Sequence, residues 1–366
     1  MSVPLSILDL APISSGSDAG AALRTTIDVA RRADALGYHR YWVAEHHFAA
    51  GVAGAAPAVL IGLIAAATDR IRVGSGAVQV GYSTAVSVVE QFGLLDAVHP
   101  GRLDLGLGRS GGKPGPITPA ADRVVDGLLI PAPFDVAKLA GSPRFATYAG
   151  LLRQPGATPP PFDTTVADIQ SLIAGTFERD GLDVHATPGE GAKAELWILG
   201  SSGGESARVA GERGLPFAAN YHVAPSNVLE AVEAYRAAFR PSAVLDRPYV
   251  LVSADVLVAE SEALARHLAS PYRHWVRSIR TGTGAIPYPT PAEAAALPWS
   301  DEDQALVRDR LDTRFVGDAG QVTERLETLR RVTGADELLV TTITHDPADR
   351  VRSFELLADA WMQGHH

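Results

Sequence analysis

Four short polar clusters carry the side chains that could do chemistry in this chain. The first is Glu45-His46-His47, a carboxylate beside two imidazoles. Histidine takes and returns protons near neutrality because its ordinary pKa is about 6.5, which suits a general base. Neighbours on a strand point to opposite faces, so one histidine of the pair faces a pocket while the other supports the wall. Taken alone, each imidazole reads equally as a hydrogen-bonded structural group or as a proton carrier.

The second cluster is Gly106-Leu107-Gly108-Arg109-Ser110-Gly111, which spells G-x-G-x-x-G after an apolar run. A dinucleotide-binding turn must open directly into a helix, whereas Pro114, Pro116 and Pro119 follow here, so that reading is rejected. Arg109 suits a phosphate clamp, because a guanidinium pairs bidentately with phosphate oxygens; the bland reading is a surface arginine. The third cluster, Gly200-Ser201-Ser202-Gly203-Gly204, precedes a helix expected to start at Glu205. Its small residues allow a ligand close to the backbone, the helix start offers free N–H groups, and Ser201 and Ser202 add hydroxyls. A serine that merely caps the helix is the simpler alternative. No G-x-S-x-G elbow accompanies these serines, so serine-nucleophile catalysis is not expected. The fourth cluster is Tyr221-His222, with His345 further on. Glu45, His46, His222 and His345 could ligate a metal, but strand one has no His-x-His and carboxylates at strand ends are few, so no metal site is expected.

These groups need a frame that gathers them. Apolar strand-like runs begin at Leu5, Arg40, Ile71, Arg102, Glu195, Pro216, Tyr249 and Glu337, and the spacing predicts a helix after each. They span Leu5–Leu10, Arg40–Ala44, Ile71–Val80, Arg102–Leu107, Glu195–Leu199, Pro216–Asn220, Tyr249–Val258 and Glu337–Thr342. Repeated βα order implies a parallel sheet, and eight units favour closure into an α/β (β/α)8 TIM barrel, residues 1–366 forming one domain. Irregular, Pro- and Gly-rich stretches at 111–163 and 281–298 read as insertions after strands four and seven. In such barrels active sites lie at the C-terminal strand ends, where all four clusters fall.

Composition narrows the partners. The chain has 366 residues, a formal charge of −10 and no cysteine. The acidic balance argues against nucleic acid, and the absent thiols exclude disulfides and cysteine nucleophiles. The run Val59–Ala67 is too short to span a bilayer, and Met1–Leu10 lacks a basic leader segment, so a cytoplasmic protein without membrane contact is expected.

Several segments in order resemble one family. Ala44-Glu45-His46-His47-Phe48, Val73-Gly74-Ser75-Gly76-Ala77-Val78, Glu90-Gln91-Phe92, His99-Pro100-Gly101-Arg102, Gly106-Leu107-Gly108-Arg109 and Leu199-Gly200-Ser201-Ser202-Gly203 look like the bacterial luciferase-like flavin-dependent oxidoreductases. Phe315-Val316-Gly317, Ala335-Asp336-Glu337-Leu338 and His345-Asp346 continue the match, which spans nearly the whole chain. The resemblance implies a commonly dimeric (β/α)8 barrel that binds reduced FMN and reacts it with O2. It maps a catalytic base to His46 and a pocket position to His222. It maps phosphate contacts to Arg109, Gly200, Ser201 and Ser202, and a strand passing the flavin ring, often with a cis peptide, to Ala77 and Val78. Relatives that carry a Leu-Pro-Asn-His type of sequence after strand three differ here, where Val80-Gly81-Tyr82-Ser83 stands and Tyr82 replaces a pocket histidine.

The function so implied is a monooxygenase acting on a small organic substrate, with reduced FMN supplied by a separate flavin reductase, since no nicotinamide-binding domain is visible. A deazaflavin-dependent dehydrogenase or reductase, or a flavin-binding protein without turnover, are the alternatives.

Overall fold

The computed structural model describes residues 3–109, 120–135 and 143–363. Parts of the expected first insertion, 111–119 and 136–142, lie outside the described residues, as does Ser110.

Eight parallel strands close on themselves: β1 (Leu5–Asp9), β2 (Arg40–Val43), β3 (Arg72–Ser75), β4 (Leu103–Gly108), β5 (Glu195–Gly200), β6 (Phe217–Asn220), β7 (Val250–Val258) and β8 (Glu337–Thr341). Each pairs with its successor, and β8 returns to β1 through Leu5↔Leu338 and Ile7↔Val340. Thirteen described helices surround and cap this barrel. They are α1 (Ala19–Leu36), α2 (Pro57–Ala65), α3 (Ala85–Val98), α4 (Pro143–Leu151), α5 (Phe162–Ala174), α6 (Glu205–Glu212) and α7 (Val228–Ala238), then α8 (Glu262–Ala269), α9 (Tyr272–Arg280), α10 (Pro291–Ala296), α11 (Asp301–Asp312), α12 (Ala319–Thr333) and α13 (Pro347–Gln363). Local chemistry sets their ends. Asp18 accepts from the Ala21 N–H to start α1, and Gly37 ends it in the left-handed region at φ 83°. Among the described residues, no helix is long and apolar enough to cross a membrane.

Strand alternation sorts the core into two layers. Tyr41 and Val43 point out of β2 into the layer between barrel and helices, while Trp42 and Ala44 point into the barrel interior. The interior is filled from the bottom. Arg40 bonds Asp104 at 2.9 Å, Glu195 at 2.8 Å and Glu337 at 3.1 Å, all at the N-terminal strand ends. Above this ionic floor, Trp42 and Trp197 meet edge to face with centroids 5.1 Å apart, and Trp42 donates to Asp104 at 2.8 Å. The floor and tryptophan layer fill the barrel from below, and a cavity opens at the C-terminal mouth.

The structure departs from the expected elements in two instructive ways. The expected strand Ile71–Val80 is divided into β3 and a short continuation, Val78–Gln79. Gly74 pairs with Asp104 and Val78 with Leu107, so β3 advances four residues while β4 advances three. One extra residue is thus accommodated at Gly76-Ala77, in the manner of a bulge, and this peptide bond is cis. The second departure lies between β7 and α12, where α8, α9, α10 and α11 intervene and α9 with α11 caps the mouth through Trp275, Ile279 and Arg310. The stretch 281–298 contains α10, begun by a reciprocal Thr290–Glu293 capping box. Between β4 and α5 the described residues form a hairpin, Arg123–Val125 with Leu128–Ile130, and α4.

Candidate active site

The C-terminal mouth holds a cavity of about 390 Å³ lined by residues from all eight strands or their following loops. That size is typical of small-molecule sites. Its walls combine apolar groups, among them Leu8, Leu10, Leu251 and Leu339, with His46, His222, Asn220, Ser253, Arg109 and Arg310.

The histidine pair divides as alternation requires. His46 continues the inward register of Trp42 and Ala44 and lines the mouth cavity. Its ring has no hydrogen-bond partner among the described residues and presents open surface to that cavity. Desolvation by the surrounding walls, with His47 beside it, pushes its pKa down to about 4. His46 is therefore neutral at pH 7. His47 points outward and bonds Glu45 Oε1 through Nε2 at 2.7 Å. Glu45 in turn accepts the Gln79 backbone N–H at 2.8 Å, and its carbonyl accepts the Gln79 amide at 2.7 Å. This group ties the end of β2 to the continuation of β3 and fixes where His46 emerges.

His222 lies opposite, at the end of β6. Its Nδ1 is 2.6 Å from Ser253 Oγ, whose own acceptors Ala219 O and Asn220 Oδ1 are each at 3.3 Å. With the Ser253 proton on one of these oxygens, His222 donates through Nδ1 and leaves Nε2 unprotonated. Burial, together with Arg310 and His46 and against the pull of Asp255, pushes its pKa down to about 4. Two neutral imidazoles thus share one cavity.

The phosphate-like corner is built from β4, β5 and α6. Arg109 leaves β4 with its guanidinium partly exposed and paired to Glu205 at 3.0 Å. Glu205 opens α6, and Gly204 before it makes no side-chain cap, so the first N–H groups of this helix remain available. Ser201 and Ser202 stand beside them on the cavity wall. Gly200 is required for packing, since a Cβ there would lie 2.9 Å from the Phe217 ring and 3.0 Å from Ser206. The Gly106-x-Gly108 pattern is barrel packing too: a Cβ on Gly106 would lie 2.0 Å from Ser75 O.

Ala77 lines the mouth cavity beside the cis bond, but Val78 does not. Its buried side chain borders a separate outer cavity of about 670 Å³ with His47, Tyr82, Leu63 and Leu94. The inward-outward alternation that parted the histidines parts Ala77 and Val78 as well. Tyr82, expected to replace a pocket histidine, also belongs to that outer cavity, where His47 meets it edge-on at 6.3 Å. His345 is elsewhere again, its Nε2 3.1 Å from Ser15 O in a small cleft. Of the four weighed metal ligands, His46 and His222 line the mouth cavity, whereas Glu45 borders the outer one and His345 this cleft.

Sequence reasoning missed the far wall of the cavity: Trp275 and Ile279 on α9, and Arg310 on α11. Signals existed. Tyr272, Trp275, Val276 and Ile279 recur at helical spacing, and Ser300 with Asp303 forms a capping box before α11.

The luciferase-like monooxygenase family model matches residues 3–116 and 172–337. A luciferase-like monooxygenase of Escherichia coli K12 is 37% identical over 359 residues, covering 98% of this chain and 96% of that protein. Among solved structures, apo-MsnO8 superposes with a TM-score of 0.78 at 32% identity, covering 99% of this chain and 98% of the other. The oxygenating constituent of 3,6-diketocamphane monooxygenase from the CAM plasmid of Pseudomonas putida, a type II Baeyer–Villiger monooxygenase in complex with FMN, gives a TM-score of 0.68. It is 20% identical, with 98% of this chain and 97% of that one covered, and shows the shared fold.

Proposed function

The chain belongs to the luciferase-like monooxygenase family, and from that premise we propose that it oxidises a small organic substrate with O2 and reduced FMN. The observation that carries this reading is the convergence of His46, Arg109, Ser201 and Ser202 on one cavity at the C-terminal strand ends.

The residues present fit such a cofactor. Arg109, the free N–H groups opening α6 and the hydroxyls of Ser201 and Ser202 suit a phosphate, and the bulge at Gly76-Ala77 leaves a smooth wall for a planar ring. Reduced FMN, when bound, would supply two electrons and leave as FMN, one oxygen atom of O2 entering the substrate and the other leaving as water. The protein's part is placement. Arg109 and the serines anchor the phosphate end, and the tryptophan layer and helical cap keep bulk water from the ring end. His46, neutral and facing the cavity, takes a proton at a ring nitrogen, and His222 accepts a hydrogen bond at Nε2.

We further infer a separate flavin reductase as electron source and a homodimer. The second inference rests on Val59, Leu63, Leu94 and Val98, which leave α2 and α3 with one apolar, exposed face.

Oxygen uptake with chemically reduced FMN, tested across aldehydes, ketones and aromatic compounds, checks the reading. Substrate-dependent uptake above the protein-free rate is the expected result. Tighter binding of a deazaflavin than of FMN, with hydride transfer and no uptake, would instead support the dehydrogenase alternative.

A further inference from the structure

We propose that the far end of the mouth cavity, built around Arg310, binds the carboxylate of an organic-acid substrate. The proposal rests on the oxygenase reading for the word substrate, but the anion site itself stands on separate observations.

Arg310 leaves α11 and lines the cavity with a side chain only 9% exposed. One edge of its guanidinium is committed: Nη2 donates to Tyr272 Oη at 2.6 Å and to Asp255 Oδ2 at 3.2 Å. Tyr272 also donates to Asp255, in a short bond. The remaining guanidinium nitrogens have no hydrogen-bond partner among the described residues, and Nε is enclosed. A buried cation with idle donors is expensive unless an acceptor completes it.

The surroundings do not complete it. Arg314 stacks its guanidinium 3.7 Å from the Tyr272 ring centroid and is 4% exposed. Its Nε and Nη2 also lack partners, and among the described residues no carboxylate lies within ion-pair distance. Asp255 thus pairs with Arg310 alone, and Arg314, stacked on Tyr272, adds a second buried cation behind it. His46 and His222, the titratable groups facing Arg310 across the cavity, are neutral at pH 7. Trp275 adds another enclosed donor, Nε1, without a partner. Of the Arg310 nitrogens, Nη1 is the one neither bonded nor enclosed, so the far wall offers that donor and its positive charge inside apolar walls of Leu251, Leu339 and Ile279. A carboxylate supplies the matching charge and two acceptor oxygens in the planar fork that a guanidinium fits.

Position separates this site from the phosphate corner. Arg109 stands at the end of β4, whereas Arg310 bonds Asp255 on β7, with β5 and β6 between them. The two arginines therefore stand on different walls of the one cavity.

The test compares acid and amide probes of the same shape, benzoate with benzamide and hexanoate with hexanamide, by calorimetric titration of the FMN-saturated protein. The wild type is expected to bind at least one acid about tenfold or more tightly than its amide. Arg310→Met combined with Asp255→Asn removes both charges together and should abolish that preference; Arg310→Lys, which keeps the charge but loses the fork, should weaken it. FMN affinity should stay within about threefold in all variants. Equal binding of acids and amides by the wild type, or a preference that survives the double substitution, overturns the proposal. A fall in FMN affinity matching the fall in acid affinity overturns it too, by placing Arg310 on the flavin. Because titration needs no turnover, acid preference without oxygen uptake would sustain the anion site while sinking the oxygenase reading.

Discussion

Arg109 and Glu205, 96 residues apart, form an ion pair of 3.0 Å where the end of β4 meets the start of α6. The arginine proposed to clamp a phosphate is thus held in place by a carboxylate that sits where the phosphate's own charge would be favoured. Both side chains are partly exposed, so the pair itself contributes little stability. Its consequence is for binding. Arg109→Ala should weaken FMN binding by about 10- to 100-fold, as expected for a lost charge-assisted contact. Glu205→Gln should strengthen it by up to about fivefold, the equivalent of about 1 kcal/mol of competing pairing. Fluorescence titration with FMN reads both, and unchanged affinity in Arg109→Ala rules out the clamp.

The two histidines of the pair should separate by function. His46→Ala should leave FMN binding intact and cut turnover by about 10²- to 10⁴-fold, the usual worth of one proton-transfer group. His47→Ala removes a bond to Glu45 outside the mouth cavity and should leave turnover near the wild-type rate. Steady-state oxygen uptake distinguishes them; equal losses in both would mean that the pair acts only through the loop it braces.

Acid should destabilise the protein through His222. Its pKa is about 4 in the folded chain against 6.5 for an ordinary histidine. Between those values the unfolded chain binds the proton and the folded one does not, so stability falls as pH drops from 6.5 toward 4. Because His222 is buried, the full effect approaches about 3 kcal/mol. Urea unfolding at pH 7 and pH 4.5 should show a drop that His222→Gln reduces; an identical pH slope in that variant contradicts the assignment.

Packing predicts a sharp contrast between two glycines. Gly106→Ala would drive a methyl group to 2.0 Å from Ser75 O inside the barrel and should cost about 3 kcal/mol or prevent folding. Gly101→Ala meets nothing within 4 Å, and its positive φ of 74° should cost only about 1 kcal/mol. Thermal unfolding of both variants checks this, and similar melting temperatures would disprove the barrel-packing role of Gly106.

The proposed dimer can be tested at α2 and α3. Leu63 and Leu94 are 52% and 57% exposed on this face. The wild type should scatter light as twice the 38.5 kDa chain, and Leu63→Asp with Leu94→Asp should return it to one. A monomeric wild type overturns the inference.

Much of this molecule was legible in its sequence because the information was local. Eight apolar runs, each followed by a helix-length segment, dictated the parallel barrel, since parallel neighbours must be joined by crossovers. The rule of alternation implied that His46 and His47 face opposite ways, and the Pro residues after Arg109 ruled out a dinucleotide turn. What the sequence left open depended on distant groups. Which histidine turned inward followed from the register that puts Trp42 and Ala44 inside the barrel. The lowered basicity of His222 came from burial, which no single segment encodes. Val78 and Tyr82 went to the outer cavity because the extra residue at Gly76-Ala77 reset the strand before them. Arg310 stayed invisible because its meaning lies in Asp255 and Tyr272, residues from two other parts of the chain. Local patterns determine which elements form; only closing the barrel brings charges from separate elements within a few ångströms, where their balance sets the chemistry.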